Sequence, residues 1–142
     1  MGERLLVAYD GSEPAKDALE YAIETFPEAE LTALYVVPVP DGYWMAFRDP
    51  EDRVPATERG RDEGRDILEE AVDLAADHGR DLETEIATGK PDQEIIESAT
   101  TDGYETIVIG SHGRDRMSRV LLGSVAEKVV RRSPIPVIVA RD

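Results

Sequence analysis

Two rhythms of apolar residues alternate along this chain. Short, nearly unbroken apolar runs occur at Arg4–Tyr9 (RLLVAY), Glu30–Val37 (ELTALYVV), Thr106–Ile109 (TIVI) and Pro136–Ala140 (PVIVA). Runs of this length, bounded by turn residues, predict strands buried on both faces. Leu82–Ala87 (LETEIA) alternates instead and predicts a half-exposed edge strand. Between the runs, apolar positions return every three or four residues, the spacing of an amphipathic helix. Ala15, Ala18, Leu19, Ala22, Ile23 and Phe26 form one such set. Ser12 is placed to cap it, Pro14 is tolerated in its first turn, and Pro27 ends it. Ile67, Leu68, Ala71, Val72 and Ala75 form a second set, in a charged helix predicted from Thr57 to His78 and stopped by Gly79. Gly89-Lys90-Pro91 opens a third helix with Ile95, Ile96 and Ala99. Leu121, Leu122, Val125 and Val129 give the inward face of a fourth, predicted from Ser118 to Arg132.

The resulting order is β-α-β-α-β-α-β-α-β. Strands alternating with helices predict an open, doubly wound α/β fold, a parallel sheet with helices on both faces. In such sheets ligands bind beyond the carboxyl ends of the strands, where the winding reverses. Two strand ends carry turn chemistry: Asp10-Gly11-Ser12 after the first strand and Gly110-Ser111-His112-Gly113 after the fourth. The stretch from Pro38 to Pro55 holds four prolines and the aromatic cluster Tyr43-Trp44-Met45-Ala46-Phe47, and reads as an irregular loop. Such a cluster suits a lid, a subunit contact or a satellite of the core.

Composition narrows the class. The chain has 142 residues, the size of one domain spanning 1–142, and is 41% hydrophobic, enough for one core. No apolar run approaches the ~18 residues of a membrane span, and the start MGERLLVAYDG lacks the pattern of a secretory signal. A cytoplasmic location is therefore expected. The chain has no cysteine, which removes disulfides, thiolate metal sites and a cysteine nucleophile.

With 31 acidic and 16 basic residues the formal charge is −15. This argues against general nucleic-acid binding, which depends on cationic contacts to phosphates. Surfaces this acidic are used by halophilic proteins, and at ~1 M salt a Debye length of about 3 Å screens the self-repulsion. The charge is uneven. Residues 1–109 carry a net −19, whereas 110–142 carry a net +4 from Arg114, Arg116, Arg119, Lys128, Arg131, Arg132 and Arg141 against 3 acidic residues. A positive segment on a negative chain suits an anion site, or cations stationed at a helix C-terminus.

The residues most suited to chemistry lie in that segment. Gly110-Ser111-His112-Gly113 is followed, after nine residues, by Gly123-Ser124. Glycines let backbone N–H groups approach a ligand, and successive N–H groups in a turn make an anion-binding nest. Spacing alone leaves phosphate binding and a merely tight β-to-α connection about equally supported. Asp10 by itself reads as an Asx turn or cap. His78, at a helix end, reads as structural or solvated. Two histidines far apart in sequence make no metal cluster, so no protein metal site is expected. No P-loop, Gly-x-Gly-x-x-Gly fingerprint or Gly-x-Ser-x-Gly elbow occurs, and no dedicated nucleophile is evident.

Taken whole, GSHGRDRMSRVLLGSVAEKVVRRSPIPVIV resembles the ATP-binding signature of the universal stress protein family, and LLVAYDGSEPAKDALEYA is similar to that family's first strand, aspartate turn and helix. The resemblance covers essentially all 142 residues. It implies the strand order 3-2-1-4-5. It implies a nucleotide site in which Asp10, Gly11 and Ser12 lie by the adenine and ribose. Backbone at Val36 and Val37 would line the adenine. Ile109, Gly110, Ser111, His112, Gly113 and Arg114 would surround ribose and phosphates, and Gly123, Ser124 and Val125 would grip the phosphates. Ala126 stands where some ATP-binding members carry a hydroxyl. The implied cofactor is ATP, or AMP or ADP, with Mg or Mn bound through the phosphates. The implied assembly is a homodimer through strand 136–140, acting as a regulatory or protective module in stress response. Rival readings are a slow ATP hydrolase or phosphate-transfer enzyme using Asp10, His112 and Asp115, an interaction dimer with no nucleotide, and, more distantly, a flavin-binding domain.

The charge excess makes a prediction. Raising KCl from 0.1 to 2 M is expected to raise the thermal unfolding midpoint by several degrees, read by circular dichroism; an unchanged or lower midpoint would separate this acidity from salt adaptation.

Overall fold

The computed structural model describes residues 3–38, 50–112 and 122–141, with side chains described outside 50–57. Gly113, Arg114 and the Tyr43–Phe47 cluster therefore lie outside the described residues. Five strands and four helices alternate: β1 (Arg4–Ala8), α1 (Glu13–Thr25), β2 (Glu30–Pro38), α2 (Pro50–Asp77), β3 (Glu83–Gly89), α3 (Pro91–Thr101), β4 (Thr106–Gly110), α4 (Ser124–Arg132) and β5 (Val137–Ala140). All pairings are parallel, in the order β3-β2-β1-β4-β5. Among the described residues no helix is long and apolar enough to cross a membrane.

The pleat divides the sheet's side chains between two cores. Leu5, Val7, Ala33, Tyr35 and Val108 pack against α1 and α2 through Ala15, Ala18, Leu19, Ile67, Leu68 and Ala71. Leu6, Leu34, Ile107 and Ile109 pack against α3 and α4 through Ile95, Ala99, Ala126 and Val129. Helices on one face join β1 to β2 to β3, and those on the other join β3 to β4 to β5. The winding therefore reverses between β1 and β4, which opens a crevice at their carboxyl ends.

Local chemistry sets most element ends. Ser12 is extended (φ −74°, ψ 162°), and its hydroxyl accepts from the Ala15 N–H at 3.2 Å, a regular N-cap. Phe26, held out of the helical region by the following Pro27, ends α1.

Three boundaries differ from the sequence reading. α2 begins at Pro50, not Thr57, so part of the expected irregular loop is helical. A proline at a helix start loses nothing, because its missing N–H has no partner there in any case. α4 begins at Ser124, not Ser118. Leu122 and Gly123 are non-helical, and Leu122 is 37% exposed rather than inward. Gly123 is extended and its N–H is spent on the Ser111 carbonyl at 2.7 Å, a tertiary bond no local pattern announces. Val72, expected inward, is exposed. β3 also runs on to Gly89, because Thr88 and Gly89 pair with Val37 and Pro38.

Gly110 is required by a close approach. A Cβ there would lie 2.7 Å from both the carbonyl carbon and the oxygen of Pro14. Backbone cannot swing aside as a side-chain tip can, so Gly110→Ala is expected to destabilise the fold by about 1–3 kcal/mol, the usual cost of overpacking. Urea unfolding of the two proteins tests this; equal midpoints would show that α1 gives way freely.

Candidate functional site

The crevice at the β1/β4 switch point holds a cleft of about 330 Å³, within the range of small-molecule sites. Its floor and one wall are apolar. Ala8 and Ile109 lie at the carboxyl ends of the two central strands, Leu34, Val36 and Pro38 come from β2, and Pro91 and Ile95 close the side from α3. These residues reach one place because β2, β1 and β4 end side by side while α3 crosses the same face.

The other end is polar and glycine-lined. Asp10, Ser12, Gly110, His112, Gly123 and Ser124 border it, with Val125 and Ala126 beneath. Asp10 Oδ1 accepts from the Ser12 N–H at 2.9 Å, so the carboxylate organises the turn that leads into α1. Gly11, in that turn, has φ +82°, a conformation that suits glycine. Ser111 is 7% exposed and lies behind the cleft. Its N–H donates to Ala140 O at 3.1 Å, its carbonyl accepts from the Gly123 N–H, and its hydroxyl lies 3.1 Å from His112 Nδ1. These contacts draw Gly123, and with it the start of α4, to the end of β4.

α4 has no side-chain cap at Gly123. The N–H groups of Ser124, Val125 and Ala126 occupy its first turn, where no intrahelical acceptor exists, and they carry the positive end of the helix dipole. Such a terminus suits an anion. α3 and α4, the helices that frame the cleft, are tied by Arg132 Nη1 to Asp92 Oδ2 at 3.3 Å, with the Asp92 side chain 8% exposed. Arg131 pairs with Glu127 at 2.9 Å. Two cations of the positive C-terminal segment thus have structural partners.

Tyr9, at the cleft's base, is 2% exposed. Burial, reinforced by the charges of Glu70, Asp10, Glu13 and Glu20, pushes its hydroxyl up to about 12, so it stays protonated. Burial, with Glu97 nearby, also raises Glu94 on α3 above the usual carboxylate value.

Of the residues named from the sequence, Asp10, Ser12, Val36, Ile109, Gly110, His112, Gly123, Ser124 and Val125 meet around the cleft. Val37 does not. Its side chain belongs to the core on the α1/α2 face, opposite to Val36 by the alternation of the strand, whereas the expectation for it concerned its backbone. Gly11 and Ser111 are not among the residues lining the cleft; a Cβ at Gly11 would meet Ile67. The sequence reading missed Tyr9, Leu34, Pro91 and Ile95. The only advance signal for the last two was that Gly89-Lys90-Pro91 follows a strand on the ligand side of the sheet.

Comparison with known proteins agrees with this geometry. Residues 1–141 match the family model described as the universal stress protein family. The chain belongs to that family. A Bacillus subtilis universal stress protein is 35% identical over 157 aligned positions, covering 99% of this chain and all of that one. The universal stress protein UspA from Lactobacillus plantarum has a solved structure that superposes with a TM-score of 0.79 at 30% identity, covering 98% and 97% of the two chains. A Methanocaldococcus jannaschii relative gives 0.82 at 27% identity, covering 100% and 97%. Two more distant universal stress structures share the fold: an Arabidopsis thaliana protein with AMP bound, at 22% identity and a TM-score of 0.70 with 98% and 91% covered, and another in complex with cAMP, at 24% and 0.65 with 98% and 96% covered.

Proposed function

We propose that this universal stress protein binds an adenine nucleotide, ATP first among them, in the switch-point cleft, and that the bound nucleotide biases a homodimeric regulatory or protective module. The observation that carries the reading is the pairing of two unlike ends in one cleft. An apolar slot between Val36, Pro38, Pro91 and Ile95 suits a flat base. The uncapped first turn of α4, with the Ser124 hydroxyl, suits phosphate oxygens. Asp10, an acceptor on the polar end of the cleft, suits a ribose hydroxyl. Two proteins of the same fold hold AMP and cAMP, which supports the nucleotide class. A Mg or Mn ion would enter on the phosphates, as magnesium usually does. His112 is held against Ser111 and serves the loop rather than a proton transfer.

The dimer is proposed through β5. This strand forms one edge of the sheet, and Val137, Ile138 and Val139 are only half-buried. The Ile107 N–H bonds Pro136 O and the Ser111 N–H bonds Ala140 O. Parallel ladders alternate, so the N–H and C=O of Val137 and Val139 point away from β4 to the open edge. Two copies paired there would satisfy both edges at once.

Two substitutions test these proposals separately. Ser124→Pro places proline at the first helical position, after an already extended Gly123, so the fold is expected to hold. It removes one N–H and one hydroxyl from the anion end. Affinity for ATP, measured by calorimetry, is expected to fall about tenfold or more, the value of a charge-assisted hydrogen bond; an unchanged affinity would move the phosphates elsewhere. Val139→Pro removes an outward donor without touching the β4 ladder. Light scattering is expected to show a monomer, and an undisturbed dimer would place the interface on another surface.

A further inference from the structure

Far from the cleft, the fold assembles a set of donors that the sequence keeps apart. Glu20 and Glu24 stand one turn apart on α1, and His78 follows the last residue of α2. Each offers one ligand atom, and the three lie within 4.8 Å of one another. Both helices run back from the carboxyl ends of the strands, so their C-terminal turns meet at the opposite end of the sheet from the cleft.

Two features distinguish this trio from ordinary surface acidity. The first is the histidine. His78 Nδ1 lies 3.0 Å from the Leu74 carbonyl. A carbonyl only accepts, so Nδ1 carries the proton and the lone pair sits on Nε2. Metal-binding histidines are commonly oriented in this way, by a backbone carbonyl on the other ring nitrogen. The second is the charge balance. Two carboxylates at i and i+4 repel, and among the described residues neither Glu20 nor Glu24 has an ion-pair partner. A cation between them and His78 would remove that repulsion.

We propose that Glu20, Glu24 and His78 form a site for a divalent transition-metal ion of the zinc type, which fastens the C-terminal end of α2 to α1. One imidazole and two carboxylates are a borderline donor set that suits Zn²⁺ and its first-row neighbours. Mg²⁺ is disfavoured, since it prefers an all-oxygen octahedron. Zinc holds its ligands at about 2.0–2.2 Å, so donors within 4.8 Å of one another close around it by rotation of side chains that are exposed or half-exposed. Water would complete the coordination.

The test uses the full chain, without nucleotide, in a buffer free of phosphate and chelators. Calorimetry with zinc chloride alone is expected to show one ion per chain, and zinc is expected to raise the unfolding midpoint. His78→Ala and Glu24→Gln, both surface changes, are each expected to weaken zinc binding at least tenfold while circular dichroism stays native. Cobalt in place of zinc is expected to give a visible absorption band that His78→Ala abolishes. Absence of zinc binding, zinc affinity in both variants unchanged from the unsubstituted protein, or magnesium binding as tightly as zinc would overturn the proposal. None of these readouts depends on the nucleotide cleft.

Discussion

The backbone of one residue, Ser111, ties the candidate site together. Ser111 receives the end of β5 through its N–H and the start of α4 through its carbonyl. The first bond continues the sheet by one residue beyond β4. The second fixes Gly123 as the residue where α4 begins, and so fixes where the helix dipole points. Without it, the anion-favouring terminus of α4 would have no set distance from Asp10 or from the apolar slot. A backbone bond suits the task, because it constrains two chain segments without placing a side chain in the cleft. Ser111 is correspondingly buried, whereas its neighbour His112 faces the opening.

The two faces of the sheet divide the work. The α1/α2 face carries a core of alanines, leucines and aromatic residues, and glycines let the helices sit close to the strands. Gly60 lies against Val37 and Gly64 against Tyr35. The α3/α4 face leaves its carboxyl end open, and the cleft occupies that gap. Charge is arranged to match. Arg132 neutralises the buried Asp92 between the two framing helices, while Tyr9 remains an uncharged floor among acidic neighbours. In a chain of formal charge −15, an anion is best received where backbone N–H groups, rather than net charge, provide the attraction.

Much of this was legible in the residues. Buried-strand runs and helical spacing gave the order of all nine elements, because burial on both faces of a parallel strand leaves a continuous apolar signature. Asp10, Gly110 and Ser124, which border the cleft, were legible because tight turns and close backbone approaches favour particular residue types. The side of the pleat was not. Val36 and Val37 look alike in sequence, and one faces the cleft's side of the sheet while the other faces the opposite core. Pro50 reads as part of a loop, although a helix tolerates proline at its first position.

The sequence by itself determined the class of fold, the family and the chemistry of the ligand-side turns, all of which rest on local conformational preference and periodic burial. Only the tertiary structure decided which residues become neighbours across the chain. The true start of α4 follows from a hydrogen bond between Ser111 and Gly123, the apolar wall needs Pro91 and Ile95 from a distant helix, and Glu20, Glu24 and His78 meet because α1 and α2 lie on one face of the sheet. Contacts of that kind depend on how the elements wind about the sheet, and no local stretch of sequence records them.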